Sequence, residues 1–472
     1  MSNQIETDVT IIGGGISGLS SAHFLQKKGL KTVVLEKSYR TGGSIRSARV
    51  EGFLVEYGPN STLDTSPVIH ELFSDIGIES QMEYANEQSK NRYILRDGRL
   101  NVLPMTPLAF LKTPHFSCKA KWRLFKEPFI GPADPEIEET LAQFVIRRLG
   151  QEFLDYAIDP FVAGIYAGLP ERLSVKSAFP KLYDLEKKYG SLIKGTILGA
   201  KERKKREEVS KQSAKLFSFP KGLQTVTDAL SREYERDIYL NSQIRRISKE
   251  NENFIIHFDD GKNQYQLLSS ALLLTIPVYA YGELPGDFFV PLLPTLQKIY
   301  YPPVTVVYFG YKKKPECRPL DGFGFLVPRK ENRQILGTIW SSTIFKNRAP
   351  DGGIALTTFV GGSRQPEIAL MEEAKLFDIV FSDLKDIMQL NNKPDVVVIQ
   401  PWPKAIPQYN IGHQQILDEV EKFEKTNPGV FLSGNFRGGI SVGDCIKQSK
   451  VMADRIVSEL SRFKLKSEAV QV

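Results

Sequence analysis

Short apolar runs alternate with amphipathic stretches along the first part of the chain, and this pattern predicts an α/β arrangement. Residues 9–12 form a strand-like run, residues 19–28 have helical character, and residues 32–35 form a second strand-like run. Near the other end, a buried-type run at 429–435 precedes a segment of helical character that extends to about residue 460. The pattern therefore predicts a parallel sheet to which the chain returns late in the sequence.

The middle of the chain has a different texture. A hairpin is predicted at 91–99, because Asp97-Gly98 is a strong turn signal between two short strands. Prolines interrupt apolar pieces from 104 to about 210, and helical periodicity over 140–154 places Leu141, Phe144, Val145, Leu149 and Phe153 on one side of a helix. Four later runs suit a mixed sheet with one covered face and are followed by a predicted helix; they are 304–309, 324–327, 335–339 and 355–360, with the helix at 366–388.

The turn after the first predicted strand carries the most specific chemistry. Gly13, Gly15 and Gly18 form a G-x-G-x-x-G pattern in strand–turn–helix context, and Glu36 ends the second strand. In this motif the three glycines allow the tight turn, the approach of backbone to a pyrophosphate, and close packing of helix on strand. The helix N-terminus attracts the phosphates, and Glu36 is suited to accept hydrogen bonds from a ribose. The sequence thus predicts a dinucleotide site.

Composition limits the remaining possibilities. The chain has 472 residues and a formal net charge of +7, yet no basic–aromatic platform that would indicate nucleic-acid binding. Its three cysteines, Cys118, Cys317 and Cys445, have no metal-binding or C-x-x-C spacing, and its five histidines are scattered, so no metal site is predicted. The N-terminus opens polar, which predicts no signal peptide, and no apolar run is long enough to span a bilayer.

Several further segments resemble a known family. The glycine doublet in 40–44 and the turn 56–60 are typical of flavin amine oxidases. More specific are the stretches 161–168 (FVAGIYAG), 177–191, 322–328 (GFGFLVP), 358–362 (TFVGG) and 434–443 (GNFRGGISVG). Together they resemble the oxygen-dependent protoporphyrinogen oxidases over nearly the whole chain, and the stretches 322–328 and 358–362 are most similar to plant mitochondrial-type members.

The resemblance implies an α/β, overall α+β, fold of three parts. It implies a Rossmann-type FAD-binding domain built from residues 1–85, 212–285 and 425–472. A mixed-sheet substrate-binding domain would comprise residues 86–103 and 286–424, and a helical membrane-binding insertion would comprise residues 104–211. Members of this family sit on one leaflet of a membrane without crossing it, so we expect this chain at the cytoplasmic face of the cell membrane.

The resemblance also implies which residues hold the cofactor, FAD. Those expected at the pyrophosphate and ribose are Gly13, Gly14, Gly15, Ile16, Ser17, Gly18, Glu36 and Lys37. Those expected along the diphosphate, the isoalloxazine and the adenine are Ser44, Gly58, Pro59, Asn60, Ser61, Ile244, Trp402, Gly439, Ile440 and Ser441. Taken alone, Trp402 also fits simple core packing, and Gly58-Pro59-Asn60 fits an ordinary turn.

Four residues correspond to the family's substrate pocket. Arg92 corresponds to an arginine that binds a propionate, which suits the planar fork of a guanidinium. Phe359 corresponds to an aromatic residue that packs on a pyrrole ring, and Leu326 and Ile339 correspond to an aliphatic pair that clamps another ring. Without the resemblance, Arg92 would be a surface arginine beside a hairpin and the other three would be ordinary strand residues.

The activity that follows is a six-electron oxidation of protoporphyrinogen IX to protoporphyrin IX in haem biosynthesis, with oxygen as acceptor and hydrogen peroxide as product. No residue is assigned as a general acid or base. The alternatives are oxidation of coproporphyrinogen III to coproporphyrin III, another flavin amine or carotenoid-type oxidoreduction, and a flavin-bound scaffold without turnover. The expected partners are the porphyrinogen, a membrane surface, a second copy in a homodimer, and ferrochelatase as receiver of the product.

Overall fold

The computed structural model describes residues 3–104, 106–134, 136–205 and 214–470. The predicted boundary between residues 211 and 212 lies outside these ranges. The strands are β1 (Asn3–Ile12), β2 (Thr32–Leu35), β3 (Ser47–Val50), β4 (Phe53–Glu56), β5 (Thr62–Leu63), β6 (Glu83–Tyr84), β7 (Asn91–Arg96), β8 (Arg99–Val102), β9 (Leu216–Ser218), β10 (Ile238–Tyr239), β11 (Gln243–Glu250), β12 (Asn253–Asp259), β13 (Gln264–Leu274), β14 (Val304–Tyr311), β15 (Gly322–Leu326), β16 (Ile335–Ile339), β17 (Ile354–Gly361), β18 (Val396–Trp402) and β19 (Val430–Leu432).

The α-helices are interspersed with short 3₁₀ segments. They are α1 (Ile16–Lys27), α2 (Pro67–Asp75), α3 (Pro107–Lys112), α4 (Cys118–Lys126), α5 (Leu141–Arg148), α6 (Gln151–Phe153), α7 (Asp159–Tyr166), α8 (Val175–Ala178), α9 (Pro180–Tyr189), α10 (Leu192–Lys205), α11 (Gln224–Glu233), α12 (Leu293–Leu296), α13 (Ser341–Ile344), α14 (Glu373–Met388), α15 (His413–Thr426) and α16 (Val442–Val470). No helix in the described ranges combines the length and the apolar character that crossing a membrane requires.

The first sheet joins both ends of the chain. Its order is β10-β2-β1-β13-β12-β11, and β19 lies beside β13. The strands β10, β2, β1, β13 and β19 run parallel, whereas β11, β12 and β13 form an antiparallel meander. Helices α1, α2, α11 and α16 pack on one face, and α15 packs on the other together with residues 278–301. A parallel sheet that is covered on both faces is typical of α/β folds, and this part of the predicted fold class is confirmed.

The second sheet is mixed and is covered by a helix on one face. Its order is β18-β14-β17-β16-β15-β7-β8, and only the β15–β7 pair in it is parallel among the described strands. Helix α14 packs through Leu376, Val380 and Leu384 against Val307 and Phe309. Since side chains alternate between the faces of a strand, the neighbouring positions project to the opposite face, which is free of α14. The predicted hairpin at 91–99 is present as β7 and β8.

The helical segment between β8 and β9 has its own small core, centred on Phe144, Val162 and Tyr166. A single helix over 140–154 was predicted here, and that prediction is wrong. Helix α5 ends at Arg148 because Gly150 adopts a φ of +94°, in the left-handed region that glycine favours. The chain then continues through α6 and a π-helix at Leu154–Ile158 into α7.

Two other predicted boundaries differ from the structure. The helix predicted over 366–388 begins only at Glu373, because a separate 3₁₀ turn occupies Ile368–Leu370. Strand β13 ends at Leu274, and the hydroxyl of the next residue, Thr275, donates to Gly13 O over 2.9 Å. The last helix continues to Val470 instead of ending near residue 460.

The buried carboxylate of Glu56 connects three segments that are distant in the sequence. Glu56, at the end of β4, accepts hydrogen bonds from Ser47 Oγ at 2.5 Å and from the Leu223 amide at 3.0 Å. Its Oε1 lies 3.6 Å from Nη1 of Arg348, which is itself buried in the loop before β17. Burial raises the pKa of Glu56 from 4.5 to about 7, although Arg348 opposes the shift.

This carboxylate makes stability depend on pH. Between pH 4.5 and about 7 the folded chain binds more protons at Glu56 than the unfolded chain, so the free energy of unfolding falls as pH rises through that window. We expect Glu56→Gln to remove up to roughly 3 kcal/mol of this pH dependence. Denaturant unfolding at a series of pH values measures it. The exposed Glu252→Gln is the matched control, and an identical slope in wild type and Glu56→Gln would refute the assignment.

Candidate active site

The glycine-rich turn forms an open pocket at the carboxyl edge of the first sheet. Strand β1 ends at Ile12, and Gly13 follows with a φ of +109°. A side chain at Gly18 would overlap the carbonyl oxygen of Gly13, so the helix rests directly on the turn. A Cβ on Gly15, in contrast, would meet nothing within 4 Å. The N-terminus of α1 thus faces an open space that backbone amides border, which is the geometry of an anion site.

Glu36, which the sequence predicted to contact a ribose, follows β2 and lies beside the glycine turn. Its Oε2 accepts from the Gly14 amide at 2.7 Å and its Oε1 from the Ser38 amide at 2.8 Å. Lys37 turns to the surface, where it pairs with Glu283 at 2.8 Å. The backbone also brings Ile244 near this edge, because the Ser242 amide, two residues earlier, donates to Glu36 O over 2.9 Å.

A second turn, at Gly42 and Gly43, packs against the first turn at Gly13–Gly18. The Gly42 amide donates to Gly14 O over 2.8 Å, and Gly43 approaches Gly15 so closely that an added Cβ would lie 3.5 Å from its Cα. Arg40 holds this turn by donating to Gly43 O at 3.0 Å. The next residue, Ser44, is exposed toward solvent.

The segment after β4 connects the turns to the second sheet. A Cβ on Gly58 would overlap the carbonyl oxygen of Ser44, so the two backbones touch. Trp402, at the end of the edge strand β18, donates from Nε1 to Tyr57 O over 2.7 Å. Gly58, Pro59, Asn60 and Ser61 are partly exposed next to it, and Asn60 Nδ2 lies 3.4 Å from Gly58 O.

The C-terminal segment reaches the same edge. It leaves β19 beside β13, and the Tyr409 hydroxyl donates to Asn435 O at 2.6 Å while it accepts from the Gly439 amide at 3.1 Å. Ile440 packs against the helical core. Ser441 caps α16 by accepting from the Asp444 amide at 3.1 Å.

The substrate-pocket residues predicted from the sequence share one face of the second sheet. Arg92 pairs with Gly324 and Gly324 with Ile339; Leu326 pairs with Gly337, and Gly337 with Phe359. Because paired residues and residues two apart project to the same side, Arg92, Leu326, Ile339 and Phe359 all project away from α14. The same register places Trp402 on that side, since Phe359 and Gln400 both pair with Val306.

Arg92 is accessible on this face of the sheet. Its side chain is exposed to solvent, yet enough protein surrounds it for desolvation to lower the pKa of its guanidinium. The guanidinium lies over the Phe323 ring, 5.0 Å from the centroid. Arg92 has no carboxylate within ion-pairing distance in the part of the chain that the structure describes. An accessible cation without a counter-charge is suited to bind an anionic group of a ligand.

A helix that sequence reasoning did not assign to the site covers the same face. Ala163 and Ala167 of the α7 turn pack in the cluster that Phe359 borders. A Cβ on Gly164 would lie 2.6 Å from Leu326 Cδ2, so backbone and side chain are in direct contact there. The signal was present in the sequence as small residues at helical spacing, which allow a helix to approach closely.

Four of the five histidine side chains bond to groups other than the four predicted substrate residues. His23 bonds to Asp75 at 3.0 Å, His70 lies between Asp64 and Glu79, and His115 contacts Tyr156 O. His413 contacts Phe436 O and is kept neutral, because burial lowers its pKa to about 4. His257 belongs to β12.

Comparison with known proteins decides the family. The sequence profile described as flavin containing amine oxidoreductase matches residues 16–457. The chain belongs to this family. It is 34% identical to the mitochondrial protoporphyrinogen oxidase of Nicotiana tabacum over 481 residues, which cover 96% of this chain and 95% of that protein. It is 27% identical to the coproporphyrinogen III oxidase of Bacillus subtilis (strain 168), with 94% and 96% of the two chains covered.

A solved structure agrees. The crystal structure of a protein from Exiguobacterium sp. 255-15, provisionally named a protoporphyrinogen oxidase, has a TM-score of 0.80 and 25% identity, with 98% of this chain and 99% of that chain covered. The resemblance seen in the sequence and the predicted fold class are therefore confirmed. The chain is therefore an oxidoreductase, and its cofactor is FAD. The open turn at Gly15 and the carboxylate of Glu36 fit a dinucleotide of this kind.

The two glycines of the turn give a matched pair of variants. Gly15→Ala adds a methyl group to the open space, so we expect a folded protein of unchanged thermal stability that has lost most of its FAD affinity. Gly18→Ala forces α1 away from Gly13, so we expect lower stability even without FAD. Visible flavin absorbance per protein and thermal unfolding of the flavin-free chains measure both. Equal FAD content in Gly15→Ala and wild type would contradict the placement of the pyrophosphate.

Proposed function

We propose that this chain oxidises protoporphyrinogen IX to protoporphyrin IX with oxygen as acceptor, the reaction of EC 1.3.3.4. The observation that carries the proposal is the apolar sheet face on which Arg92, Leu326, Ile339 and Phe359 lie together, with Trp402 on the same side at the flavin segment. A flexible, largely apolar macrocycle with two propionates fits such a face, and the similarity to protoporphyrinogen oxidases supports the choice.

Each residue has a proposed task. Arg92 binds a propionate, Phe359 packs on one pyrrole ring, and Leu326 and Ile339 hold another. When bound, FAD accepts two electrons in each of three successive oxidations and passes them to oxygen, giving three molecules of hydrogen peroxide. The protein positions the reacting carbon and excludes water, and Asn60 is proposed to orient the reacting face. No residue is assigned as a general acid or base.

The cofactor contacts follow the geometry of the turns. The turn formed by Gly13, Gly14, Gly15, Ile16, Ser17 and Gly18 would hold the pyrophosphate, with Glu36 and Lys37 at the ribose and Ile244 at the adenine. The remaining contacts are proposed for Ser44, Gly58, Pro59, Asn60, Ser61, Trp402, Gly439, Ile440 and Ser441. We propose the three-part division predicted above for the chain. Residues 287–301 and most of α15, which that division assigns to the substrate-binding domain, pack on the first sheet.

The second candidate substrate is coproporphyrinogen III, and the similarity to the Bacillus subtilis enzyme supports it. It carries four carboxylates instead of two. On the face that bears Arg92, the next arginine along β7 is Arg96, whose Nη1 is ion-paired to Glu152 at 2.8 Å. Because Arg96 already has a counter-charge, the face favours a substrate with fewer carboxylates.

A direct assay separates the candidates. The purified flavoprotein is mixed under air with each porphyrinogen, and porphyrin fluorescence and hydrogen peroxide are followed. We expect a higher kcat/KM for protoporphyrinogen IX, three peroxides per porphyrin, and loss of turnover when oxygen is removed. Preference for coproporphyrinogen III would establish the second candidate. Turnover of neither would contradict the proposal, and bleaching of the flavin by an amine would indicate another member of the family.

Arg92 supplies the sharpest test of the substrate site. We expect Arg92→Ala to raise KM for protoporphyrinogen IX by about tenfold or more, the value of one charge-assisted contact, and to leave FAD content unchanged. Arg318→Ala is the matched control, because Arg318 lies 4.7 Å from the Tyr93 ring on the α14 side of the same sheet. Equal KM values for the two variants would remove Arg92 from the site.

We also propose that the helical segment docks on a membrane surface. Trp122 and Phe125 of α4 and Phe129 in the following 3₁₀ turn are 65%, 57% and 88% exposed. Ile197 and Leu198 of α10 are exposed as well, and Glu127 connects the two elements by accepting from the Leu192 amide at 2.9 Å. Exposed aromatic side chains that cluster on neighbouring helices are typical of interfacial binding. The cytoplasmic face, a homodimer and transfer to ferrochelatase stay predictions.

Replacing these aromatic residues should weaken membrane binding. Since burial of each large apolar side chain contributes about 1.5–3 kcal/mol, we expect Trp122→Ser/Phe125→Ser/Phe129→Ser to lower vesicle binding at least tenfold. Flotation with vesicles of phosphatidylethanolamine and phosphatidylglycerol measures it. The control is Val290→Ser/Leu370→Ser, which removes two exposed apolar side chains elsewhere on the surface. Undiminished flotation of the triple variant would contradict the assignment.

A further inference from the structure

Helix α7 forms a lid over part of the substrate face. Its Gly164 touches Leu326, and its Ala163 packs in the cluster that Phe359 borders. Two of the four proposed substrate residues therefore rest against this one short helix. Any change in its height above the sheet changes the space that a macrocycle can occupy.

A buried ion pair holds the first turn of α7. The Asp159 carboxylate accepts from Arg364 Nη2 at 3.0 Å and from the Arg329 amide at 2.8 Å. Both charged side chains are only 5% exposed. Arg364 also donates from Nη1 to Val327 O at 2.8 Å. One guanidinium thus connects α7 to the loop that follows β15, the strand that carries Leu326.

The loop after β17, which carries Arg364, also holds the other end of the helix. The amide of Ser363, the residue before Arg364, donates to Ala167 O at 2.7 Å. Gln408 donates from Nε2 to Tyr166 O, also at 2.7 Å. Helix α7 is therefore fastened at both ends to elements of the second sheet, and a π-helix, a form common at functional sites, precedes it at Leu154–Ile158.

The cost of this arrangement indicates that it does more than stabilise the fold. Taking two charges out of water is unfavourable, and a well-packed apolar pair often gives equal or greater stability. A charged pair with directional hydrogen bonds does, however, favour one position for the helix, because the contacts of Asp159 Oδ2 and of the two Arg364 Nη atoms depend on direction. Position matters here because Gly164 of α7 is in direct contact with the Leu326 side chain.

We propose that Asp159 and Arg364 are positioning residues that set the height of α7 above the substrate face and thereby the affinity for the macrocycle. The inference rests on the proposed function, because it concerns the same site. Neither residue is expected to touch the substrate or FAD. Their effect should appear in KM, since it is transmitted through Gly164 and Ala163 to Leu326 and Phe359.

The test compares two buried aspartates on opposite faces of one sheet. Asp383 on α14 accepts from the Gln334 amide at 2.9 Å and from Arg333 Nη1 at 3.3 Å, so Asp383→Asn removes a similar charge from the far side. We expect Asp159→Asn to raise KM for the porphyrinogen about tenfold or more with kcat and FAD content little changed, because displacement of a positioning element by a fraction of an ångström is costly. Asp383→Asn should leave KM unchanged, and hydrogen exchange of residues 159–167 should accelerate only in Asp159→Asn.

Separate outcomes contradict the inference and the proposed function. Equal KM values for Asp159→Asn and Asp383→Asn in an active enzyme would overturn the positioning role alone. Turnover of neither porphyrinogen by the wild-type chain would overturn the proposed function, and unchanged exchange of residues 159–167 would then still refute the role of Asp159. If Asp159→Asn does not fold, Arg364→Lys keeps the charge but loses the fork, and Arg333→Lys is its control. A raised KM in Arg364→Lys alone supports the inference, and equal KM values refute it.

Discussion

The close approach of backbone to backbone around the glycine turns is the constraint on which the rest of the structure depends. Gly18 lies against the carbonyl of Gly13, and Gly58 lies against that of Ser44, with no room for a side chain at either contact. The last helix is drawn to the same place, where Ser449 Oγ donates to Ser17 O at 2.9 Å. Segments from both ends of the chain therefore converge on one edge of the first sheet, where we propose that FAD binds.

The proposed substrate site depends on a second convergence, between the two sheets. Trp402 belongs to the second sheet but bonds to Tyr57 in the flavin segment, and Glu56, one residue earlier, faces Arg348 from the loop before β17. The position of the substrate face relative to the flavin is thus set by a few polar contacts between buried or half-buried groups. Apolar packing alone would allow the two sheets to slide, because it has little directional preference.

The sequence predicted the parts of the molecule in which local pattern and chemistry agree. The G-x-G-x-x-G turn, the hairpin at Asp97-Gly98 and the mixed sheet were predictable because each depends on short-range periodicity or on a turn residue with a defined conformation. The break of the helix at Gly150 was missed, since apolar spacing continued through a residue whose φ of +94° ended it. In the proposed substrate site, the four residues were predicted from the family resemblance. Only the strand register in the structure shows that they share one face of the sheet. The role of α7 was missed because the Asp159–Arg364 contact joins residues 205 positions apart.

A set of contacts also connects the proposed cofactor site with the proposed substrate site. The Tyr409 hydroxyl holds both Asn435 and Gly439 of the C-terminal flavin segment, and the Tyr409 ring lies 6.1 Å from that of Tyr166 at the end of α7. Tyr409 thus connects the C-terminal segment that we propose holds FAD with the helix that we propose covers the substrate. By linkage, whatever FAD contributes to the affinity for a macrocycle beneath α7, the macrocycle must contribute equally to the affinity for FAD. The ion pair at Asp159 and the ring contact at Tyr166 lie at opposite ends of α7. If α7 moves as a rigid unit, coupling between the binding of FAD and the binding of the macrocycle passes through this helix.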